Sequence, residues 1–379
     1  MVSKIVAFGD GLNQLIKGSL ILFRRWIKQR KPMRIGEMVE ILDEEGDAIA
    51  CGLWDKIGVR VLGFDECPGS VEDLIRMRFE DSKRVRERLG YIHVYRLIHG
   101  DGDLFPGLVV DVYGPLAVVQ SSSMAIDTIM PIIVRTLREV TGVDTVAEKS
   151  VQRVRSRSNL PFVEKIHVGN RKEVVVEVDG EGVKYLVSLK SRKTGLYLDQ
   201  RENRIFTKRF SKDVRFLDLF SYTGGFGLNA LHGGAKKVVF VDKDKDALSI
   251  LKINLRLNGF DESKSEIFHE DAFRFLKRAL KRRIEFDVTS VDPPAFMDDY
   301  KEGLKMYKEA YTSSSLITQS ISILSSCSRK MNQRVFLSTI FESVREPYRL
   351  LETRGSAPDH PIRRGLEDYL KTAFVFLEG

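Results

Sequence analysis

Cysteine and histidine are scarce in this chain. Its 379 residues include only six histidines, and these are scattered without a metal-ligand spacing. The three cysteines, Cys51, Cys67 and Cys327, form no CxxC pair and are too few for a disulfide framework. We therefore expect a protein without a metal ion that works in the reducing cytoplasm.

Long hydrophobic runs are also absent. A membrane-spanning helix needs about 18 consecutive apolar residues, and no segment approaches that length. Hydrophobic residues make up 43% of the chain and charged residues 30%, which is ordinary for a globular protein. Lysine and arginine outnumber aspartate and glutamate by 61 to 53, a net charge of +8. The composition excludes membrane, secreted, coiled-coil and disordered classes, and it suggests a polyanionic partner.

Part of the positive charge is concentrated near the N-terminus. Residues 17–34 contain seven basic residues and no acidic one, with Phe23 and Trp26 among them. Such a run forms either a solvated helix face or a nucleic-acid contact, and a second run at Arg274–Arg283 has the same two interpretations. Aromatic rings between cations favour RNA, because rings stack on bases while cations hold phosphates. The N-terminal residues assigned to RNA are Lys17, Arg24, Arg25, Trp26, Lys28 and Arg30.

Three segments of different pattern follow one another along the chain. Short apolar stretches separated by turns predict a β-rich domain over 1–68. A helical spacing at Val71–Leu89, followed by mixed strands and helices, predicts a linker helix and a central α/β domain over 69–190. Over 191–379, strands alternate with helices, which is typical of a parallel sheet covered by helices. We expect an α/β protein with three domains.

The strongest chemical signal is a hydrophobic strand that ends in a glycine-rich turn, at Phe216–Gly227. Glycine lets the backbone approach a ligand where a Cβ would collide. Open α/β sheets bind their ligands beyond the carboxyl ends of the strands, which is where this turn is expected. The segment lacks both the GxGxxG spacing of dinucleotide enzymes and the GKS/T of a P-loop. It therefore predicts a ligand site of another kind.

Acidic residues follow the next three strands of the same domain. Asp242 stands 18 residues after Gly224 and can accept hydrogen bonds from both hydroxyls of a ribose. Asp271 follows a short strand and can accept from an adenine amino group. Asp292 opens a rigid Asp–Pro–Pro loop that can present a carboxylate to a flat base, with Phe296 stacked on it. Each residue alone is equally well a helix cap or a turn. The ordered series resembles class I S-adenosylmethionine-dependent methyltransferases, in which the second and third sites hold the adenosine.

Further segments narrow this resemblance. They are similar to the RlmI family of large-subunit ribosomal RNA methyltransferases over almost the whole chain. The family resemblance implies an N-terminal PUA-like β-barrel, a central α/β domain and a class I Rossmann-like methyltransferase domain. It also implies S-adenosylmethionine as cofactor, ribosomal RNA as partner and methylation at carbon 5 of a cytosine. The segments are Asp103–Gly107, Lys193–Arg204, Phe220–Phe226, Ile323–Ser328 and Pro358–Pro361.

Residue roles follow from the resemblance and from the chemistry of the base. Carbon 5 of cytosine is a poor nucleophile, and addition of a thiolate at carbon 6 turns the ring into an enamine. Cys327, after an apolar strand, is the expected nucleophile, and Asp292 is expected to contact the ring nitrogen and the amino group. Phe296 is assigned to RNA. The residues assigned to the cofactor are Tyr197, Asp199, Gln200, Arg201, Asp218, Phe220, Ser221, Tyr222, Gly224, Gly225, Asp242, Lys243, Asp271, Ala272 and Asp292.

Two other functions stay open. A purine N-methyltransferase would use the same Asp–Pro–Pro–aromatic loop without a cysteine nucleophile, and Cys327 would then be an inert packed thiol. A non-catalytic RNA-binding protein of ribosome assembly is the alternative from another class, although the glycine turn and its three acids are intact. The sequence leaves four points open. They are the target nucleotide, naked RNA or ribosomal particle as substrate, the oligomeric state (a homodimer included) and the base that removes the carbon 5 proton.

Overall fold

A computed structural model describes residues 2–28, 32–64, 67–191, 194–296 and 299–378. Over these ranges it contains twenty strands and eleven α-helices. The strands are β1 (Ser3–Ala7), β2 (Ile21–Phe23), β3 (Ile27–Lys28), β4 (Met38–Leu42), β5 (Ala48–Asp55), β6 (Gly58–Phe64), β7 (Val94–His99), β8 (Leu108–Tyr113), β9 (Leu116–Ser121), β10 (Thr145–Ser150), β11 (Val163–Val168), β12 (Glu173–Glu177), β13 (Lys184–Ser188), β14 (Arg215–Leu219), β15 (Lys237–Asp242), β16 (Ser265–His269), β17 (Phe286–Val291), β18 (Thr318–Ser326), β19 (Tyr348–Arg354) and β20 (Lys371–Leu377). The helices are α1 (Gly9–Ile16), α2 (Val71–Arg88), α3 (Met124–Thr128), α4 (Met130–Thr141), α5 (Arg153–Arg157), α6 (Arg201–Thr207), α7 (Gly225–His232), α8 (Lys245–Leu257), α9 (Ala272–Arg282), α10 (Tyr300–Ser315) and α11 (Gln333–Ser343). None of the helices in these ranges combines the length and the hydropathy that a bilayer crossing requires.

The chain forms two compact units. The first unit consists of Met1–Val174, Ser188–Gly195 and Pro358–Gly365, and the second of Val175–Val187, Leu196–Ala357 and Leu366–Gly379. Most of the two N-terminal domains expected over 1–68 and 69–190 therefore lies in one unit. The hairpin residues 175–187 lie with the second unit. The division at 68 and 190 stays a prediction.

The first unit begins with a six-stranded sheet in the order β2–β6–β5–β4–β1–β3. Its neighbours are antiparallel except for β1 and β4, which are parallel. Apolar side chains such as Ile5, Ile41 and Val59 form its core. The two edge strands, β2 and β3, are joined only by the short 3-10 turn Arg24–Trp26, so the sheet curves until its edges approach each other. This nearly closed sheet is compatible with a PUA-like barrel, which stays a prediction.

Two features of this sheet differ from expectation. The described part of the basic segment, residues 17–28 and 32–34, does not form the helix face that is one of its two interpretations, because Ile21–Phe23 pair with β6 and Ile27–Lys28 pair with β1. Leu22 is fully buried in the core, so the apolar residues of the segment decide its conformation. Helix α1 falls in a stretch that the pattern assigns to short strands. Leu12 and Leu15, three positions apart, turn one face of that helix toward the core.

A second sheet of the first unit has the order β11–β10–β9–β8–β7, with α2 and α4 contributing to its core. Buried ion pairs fix two of the segments on which the family resemblance rests. Arg86 binds Asp103 through two hydrogen bonds of 2.6 and 2.7 Å and also donates to the carbonyl oxygen of Asp359 at 2.8 Å. The carboxylate of Asp359 in turn bonds to His360 at 2.8 Å. In this unit the segments Asp103–Gly107 and Pro358–Pro361 are thus held together by Arg86.

The second unit contains a seven-stranded sheet in the order β16–β15–β14–β17–β18–β20–β19. The first five of these strands are parallel, and β20 and β19 pair antiparallel at the end of the sheet. Each crossover between parallel strands carries a helix, from α7 to α10. The prediction of a Rossmann-like α/β domain is confirmed. The strand order reverses between β14 and β17, and open sheets of this kind bind ligands at that point.

Candidate active site

The carboxyl ends of the parallel strands bring the predicted site residues to one edge of the sheet. Asp218 lies on β14, and Asp242 is the last residue of β15. Asp292 and Cys327 follow β17 and β18 directly, and Asp271 is the second residue after β16. Because the strands are parallel and adjacent, residues far apart in the sequence share this edge.

The glycine turn after β14 is tightly fixed. Phe220, Tyr222 and Gly224 have φ angles of +59°, +49° and +92°, a region that costs energy for residues other than glycine. The backbone N–H of Tyr222 donates to Asp242 Oδ2 at 2.8 Å, which holds the turn against β15. A Cβ on Gly224 would lie 2.3 Å from Leu251 Cδ1, and the φ of +92° there would strain any other residue.

Asp218, on β14, holds this turn in place through hydrogen bonds. The side chain is 1% exposed, and burial raises its pKa to about 7. Its two oxygens accept hydrogen bonds from Ser290 Oγ at 2.7 Å and from the backbone N–H of Gly227 at 2.8 Å. Asp218 therefore fixes the start of α7, and its predicted contact with a cofactor stays a prediction.

The two acids expected to hold a nucleoside are placed differently. Asp242 is half-buried, and its second oxygen accepts from the backbone N–H of Asp244 at 2.8 Å. Each carboxylate oxygen has a further lone pair, so Asp242 keeps the capacity to accept from ribose hydroxyls. Asp271 is exposed and caps α9 through bonds from the N–H groups of Phe273 and Arg274 at 3.0 and 3.2 Å. Lys243 is likewise exposed, whereas Ala272 is buried at the start of α9.

A buried hydroxyl in the turn indicates a ligand. Ser221 is 5% exposed, and its Oγ has no hydrogen-bond partner among the residues that the structure describes. An unsatisfied buried hydroxyl costs about 1–3 kcal/mol, which a bound polar ligand would offset. Together with the strained turn and the half-buried Asp242, this residue set fits a nucleoside-containing cofactor. In the same described ranges no three metal-ligating side chains come together.

A polar network holds Asp292 after β17. Gln200 Nε2 donates to Asp292 Oδ1 at 2.9 Å, and Asn203 Nδ2 donates to Gln200 Oε1 at 2.6 Å. These bonds fix the orientation of the Gln200 amide, which presents its N–H to the carboxylate. The neighbouring Asp199 accepts from the Tyr369 hydroxyl at 2.6 Å. Gln200, expected to bind the cofactor, thus supports Asp292.

Cys327 lies against the Asp–Pro–Pro loop. The side chain is half-buried, and its Sγ is 3.8 Å from the carbonyl oxygen of Pro293. Two tyrosines of α10 pack beside it, with the Tyr311 hydroxyl donating to the carbonyl oxygen of Ser325 at 2.8 Å. Burial raises the pKa of Tyr307 and of Tyr311, so both phenols stay neutral.

Aromatic rings form a wall at the same edge. The ring of Phe296 lies 6.0 Å from Phe220, 5.9 Å from Phe273 and 5.0 Å from Tyr307, between ring centroids. Phe296 is half-buried in this cluster. Offset and edge-to-face contacts at such distances hold the rings in place. The expected stacking of Phe296 on a base of RNA stays a prediction.

A buried network behind the glycine turn is not predicted from the sequence. Arg204 and Glu181 are 2% and 0% exposed in their side chains, and Arg204 Nε donates to Glu181 Oε1 at 3.0 Å. Asn229 Nδ2 donates to Glu181 Oε2 and to the carbonyl oxygen of Gly225, both at 2.9 Å. Arg204 also donates to the carbonyl oxygen of Tyr197 at 2.6 Å. The network connects the turn to Tyr197, in the segment before α6. Arg201, the first residue of α6, is fully buried.

The residues assigned to RNA in the first unit lie mostly at the surface. Lys17, Arg24 and Arg25 are exposed, and the Arg25 guanidinium lies 5.6 Å from the rings of both Phe23 and Trp26. Lys28 is exposed and pairs with Glu44 at 3.2 Å. Arg30 lies outside the described residues.

Trp26 differs from these surface residues because its ring packs against α1. A Cβ on Gly11 would lie 2.3 Å from the Cβ of Trp26, and one on Gly9 would lie 3.3 Å from its ring. Trp26 is half-buried, and its ring meets Phe8 edge-on. Its contact with RNA stays a prediction.

Comparison with known proteins decides the family. A family model described as conserved hypothetical protein 95 matches residues 203–340. A Methanocaldococcus jannaschii protein, named among the ribosomal RNA large subunit methyltransferases, is 31% identical over 388 residues and covers 100% of both chains. The ribosomal RNA large subunit methyltransferase I of Salmonella newport is 30% identical over 343 residues, 86% of this chain and 85% of the relative. The chain belongs to the RlmI family.

The predicted membership of the RlmI family is therefore confirmed, and solved structures agree with the fold. A protein described as a methyltransferase, in complex with SAH, matches with a TM-score of 0.81 and 21% identity over 100% of both chains. A SAM-dependent methyltransferase from Streptococcus mutans matches with a TM-score of 0.78 and 21% identity, again over 100% of both chains. This RlmI-family chain has the fold of those proteins over its whole length.

We expect Glu181→Gln to lower the free energy of unfolding by about 3 kcal/mol, because the guanidinium of Arg204 would stay buried without a countercharge. Urea denaturation followed by circular dichroism measures the change. The matched control is Glu266→Gln, which removes the partly exposed pair with Lys237 at 2.5 Å and should change stability by less than about 0.5 kcal/mol. A loss for Glu181→Gln as small as that of the control would show that Arg204 is not left buried and unpaired in the variant.

Proposed function

We propose that this chain methylates carbon 5 of a cytosine in large-subunit ribosomal RNA, with S-adenosylmethionine as methyl donor and Cys327 as nucleophile. The observation that carries the proposal is the distance of 3.8 Å between Cys327 Sγ and the carbonyl oxygen of Pro293, in the loop that opens with Asp292. Membership of the RlmI family supports methyl transfer to ribosomal RNA. The thiol beside the Asp–Pro–Pro loop supports carbon as the acceptor atom.

S-adenosylmethionine supplies an electrophilic methyl group when it is bound. In our proposal Asp242 accepts hydrogen bonds from the ribose hydroxyls, and Asp271 accepts one from the adenine amino group. The unpartnered hydroxyl of Ser221 and the turn at Gly224 and Gly225 support a ligand at this edge. The remaining residues proposed around the cofactor are Tyr197, Asp199, Gln200, Arg201, Asp218, Phe220, Tyr222, Lys243, Ala272 and Asp292.

The proposed reaction uses Cys327 and Asp292. The thiol first loses its proton, and the thiolate forms a bond to carbon 6 of the cytosine. This addition places the electron pair of the former 5,6 double bond on carbon 5, which then forms a bond to the methyl group, while the bond between that methyl group and the sulfur of its donor would break and leave its electron pair on the sulfur. Asp292, held by Gln200, contacts the ring nitrogen and the amino group and keeps the base in place. Removal of the carbon 5 proton by a base restores the double bond, and the electron pair of the carbon–sulfur bond returns to Cys327.

We also propose that the surface around Arg24 and Arg25 holds RNA phosphates. Both side chains are exposed, and among the residues that the structure describes neither is paired with a carboxylate. Lys17 is exposed as well, whereas Lys28 already pairs with Glu44 at 3.2 Å and should contribute less. The exposed ring of Phe23 beside Arg25 offers a surface on which a base can stack.

Methylation of a purine nitrogen is the second candidate. The loop from Asp292 to Phe296 also suits that chemistry, which needs no thiol. The position of Cys327 against this loop favours cytosine. A non-catalytic role in ribosome assembly is disfavoured, because the turn, Ser221 and Asp242 keep a geometry suited to a nucleoside.

A covalent adduct tests the role of Cys327. In large-subunit RNA that contains 5-fluorocytosine, the fluorine cannot leave carbon 5 as a cation, so the protein–RNA bond should persist. We expect a denaturant-resistant protein–RNA band with the unmodified protein in the presence of S-adenosylmethionine. Cys327→Ser should abolish the band, while its binding of S-adenosylmethionine in calorimetry should not change.

Cys67→Ser is the matched control, because it removes a half-buried thiol of the first unit and should keep the band. A band that survives in Cys327→Ser would refute the assignment of the nucleophile. Methyl transfer without any band, retained in Cys327→Ser, would support the purine alternative.

The salt dependence of RNA binding tests the surface around Arg24 and Arg25. Each phosphate contact with single-stranded RNA contributes about 0.7 to the slope of log affinity against log salt, so the double variant Arg24→Ala, Arg25→Ala should lower it by about 1.4. The control is Lys4→Ala on β1, since Lys4 already pairs with Glu40 at 2.8 Å. An unchanged slope in the double variant would place the phosphate contacts elsewhere, for example on the exposed face of α9.

A further inference from the structure

A buried lysine lies on the strand next to the one that leads to Cys327. Strands β18 and β20 are antiparallel, and Lys371 stands opposite Ser326. The Lys371 residue is only 4% exposed. Its Nζ donates to the carbonyl oxygen of Ser328 at 2.9 Å and to that of Tyr369 at 3.1 Å. The ammonium thus ties the residue after Cys327 to the start of the neighbouring strand.

The charge of this lysine is not neutralised by a direct ion pair. Both of its acceptors are uncharged carbonyl groups, and within the described ranges no carboxylate makes a salt bridge with Nζ. Burial lowers the pKa of Lys371, while the charges of Asp368, Glu367 and Cys327 act to raise it. A buried charge without a partner costs several kcal/mol, so a neutral side chain would serve packing better. The position of the ammonium therefore suggests a role in the reaction.

The thiol of Cys327 faces charged and polar groups from three elements. Asp292, at the end of β17, carries a negative charge that disfavours a thiolate. Tyr307 and Tyr311 of α10 stay neutral, because burial raises the pKa of each. Lys371 of β20 is a buried cation, and its Nζ donates to the carbonyl oxygen of Ser328, the residue that follows Cys327. Arg329 and Lys330, which follow Cys327 in sequence, are exposed to water, where screening weakens their effect.

We propose that Lys371 is a positioning residue for the methyl transfer, whose ammonium holds the turn at Cys327 and favours the thiolate of that cysteine over the thiol. This inference rests on the proposed role of Cys327 as nucleophile. An ordinary cysteine has a pKa of about 8.5 and is mostly protonated at neutral pH, whereas a nearby cation raises the reactive fraction. The thiol proton passes to solvent, and Lys371 keeps its own protons and forms no covalent bond.

Alkylation of Cys327 by iodoacetamide measures its thiolate directly, without RNA or cofactor. The full-length protein is compared with Lys371→Met, Lys371→Gln, Lys371→Arg and Lys236→Met, and mass spectrometry of the peptide follows Cys327 alone. Lys236 is exposed at the opposite end of the strands, so Lys236→Met is the control for loss of a lysine. Rates are measured across the pH range in which a thiol titrates.

We expect Lys371→Met and Lys371→Gln to slow alkylation at neutral pH about tenfold, with the midpoint of the pH profile about one unit higher. Lys371→Arg keeps the charge and should restore the original midpoint, and Lys236→Met should not move it. Calorimetry with S-adenosylmethionine identifies folded variants. If Lys371→Met does not bind S-adenosylmethionine, the midpoint of Lys371→Gln is used instead, because a glutamine side chain can still donate to a carbonyl group.

An unmoved midpoint in the folded neutral variants would overturn the inference, because it would show that Lys371 only packs the turn. If Lys371→Arg has the same midpoint as the unmodified protein, the charge of the side chain is the cause of the effect. If the midpoint of Lys371→Arg is shifted, the inference is overturned. A midpoint that moves as expected in a protein that forms no adduct with 5-fluorocytosine RNA would contradict the proposed function alone. The two failures are therefore distinguishable.

Discussion

The parallel pairing of five strands is the constraint on which the candidate site depends. Because β14 to β18 run in one direction, every residue that follows a strand reaches the same edge of the sheet. Asp242, Asp271, Asp292 and Cys327 come from positions up to 85 residues apart, and this topology alone brings them to one edge. The reversal of strand order between β14 and β17 opens the space in which a ligand can lie.

Buried polar groups then give this edge a defined geometry. The pair of Arg204 and Glu181 holds the glycine turn from behind, and Gln200 orients Asp292. Such groups add little stability, since their desolvation offsets most of their attraction, but loss of one partner leaves a costly buried charge. Lys371 differs from these groups because its acceptors are neutral carbonyl groups. In our proposal Lys371 therefore both holds the turn at Cys327 and favours the thiolate of that cysteine.

Sequence patterns are sufficient for the outline of this site. The alternation of strands and helices after residue 191 predicts the parallel sheet, and the carboxyl ends of its strands then locate the turn and the acids. The supporting pairs are beyond such reasoning, because Glu181 and Asn229 are 48 residues apart and Gln200 and Asp292 are 92 apart, with no periodic pattern between them. The basic segment near the N-terminus fails as a helix face for a similar reason. Its conformation is decided by pairing with strands far along the chain.

The proposed function depends on one reaction, the methylation of carbon 5 of a cytosine in large-subunit ribosomal RNA. Bisulfite sequencing of that RNA tests it most directly, in cells with the intact protein, without it, and with a Cys327→Ser copy. We expect one cytosine that carries the methyl group only where the intact protein is present. An identical cytosine methylation pattern in all three, or a purine methyl group that depends on the protein and persists with Cys327→Ser, would contradict it.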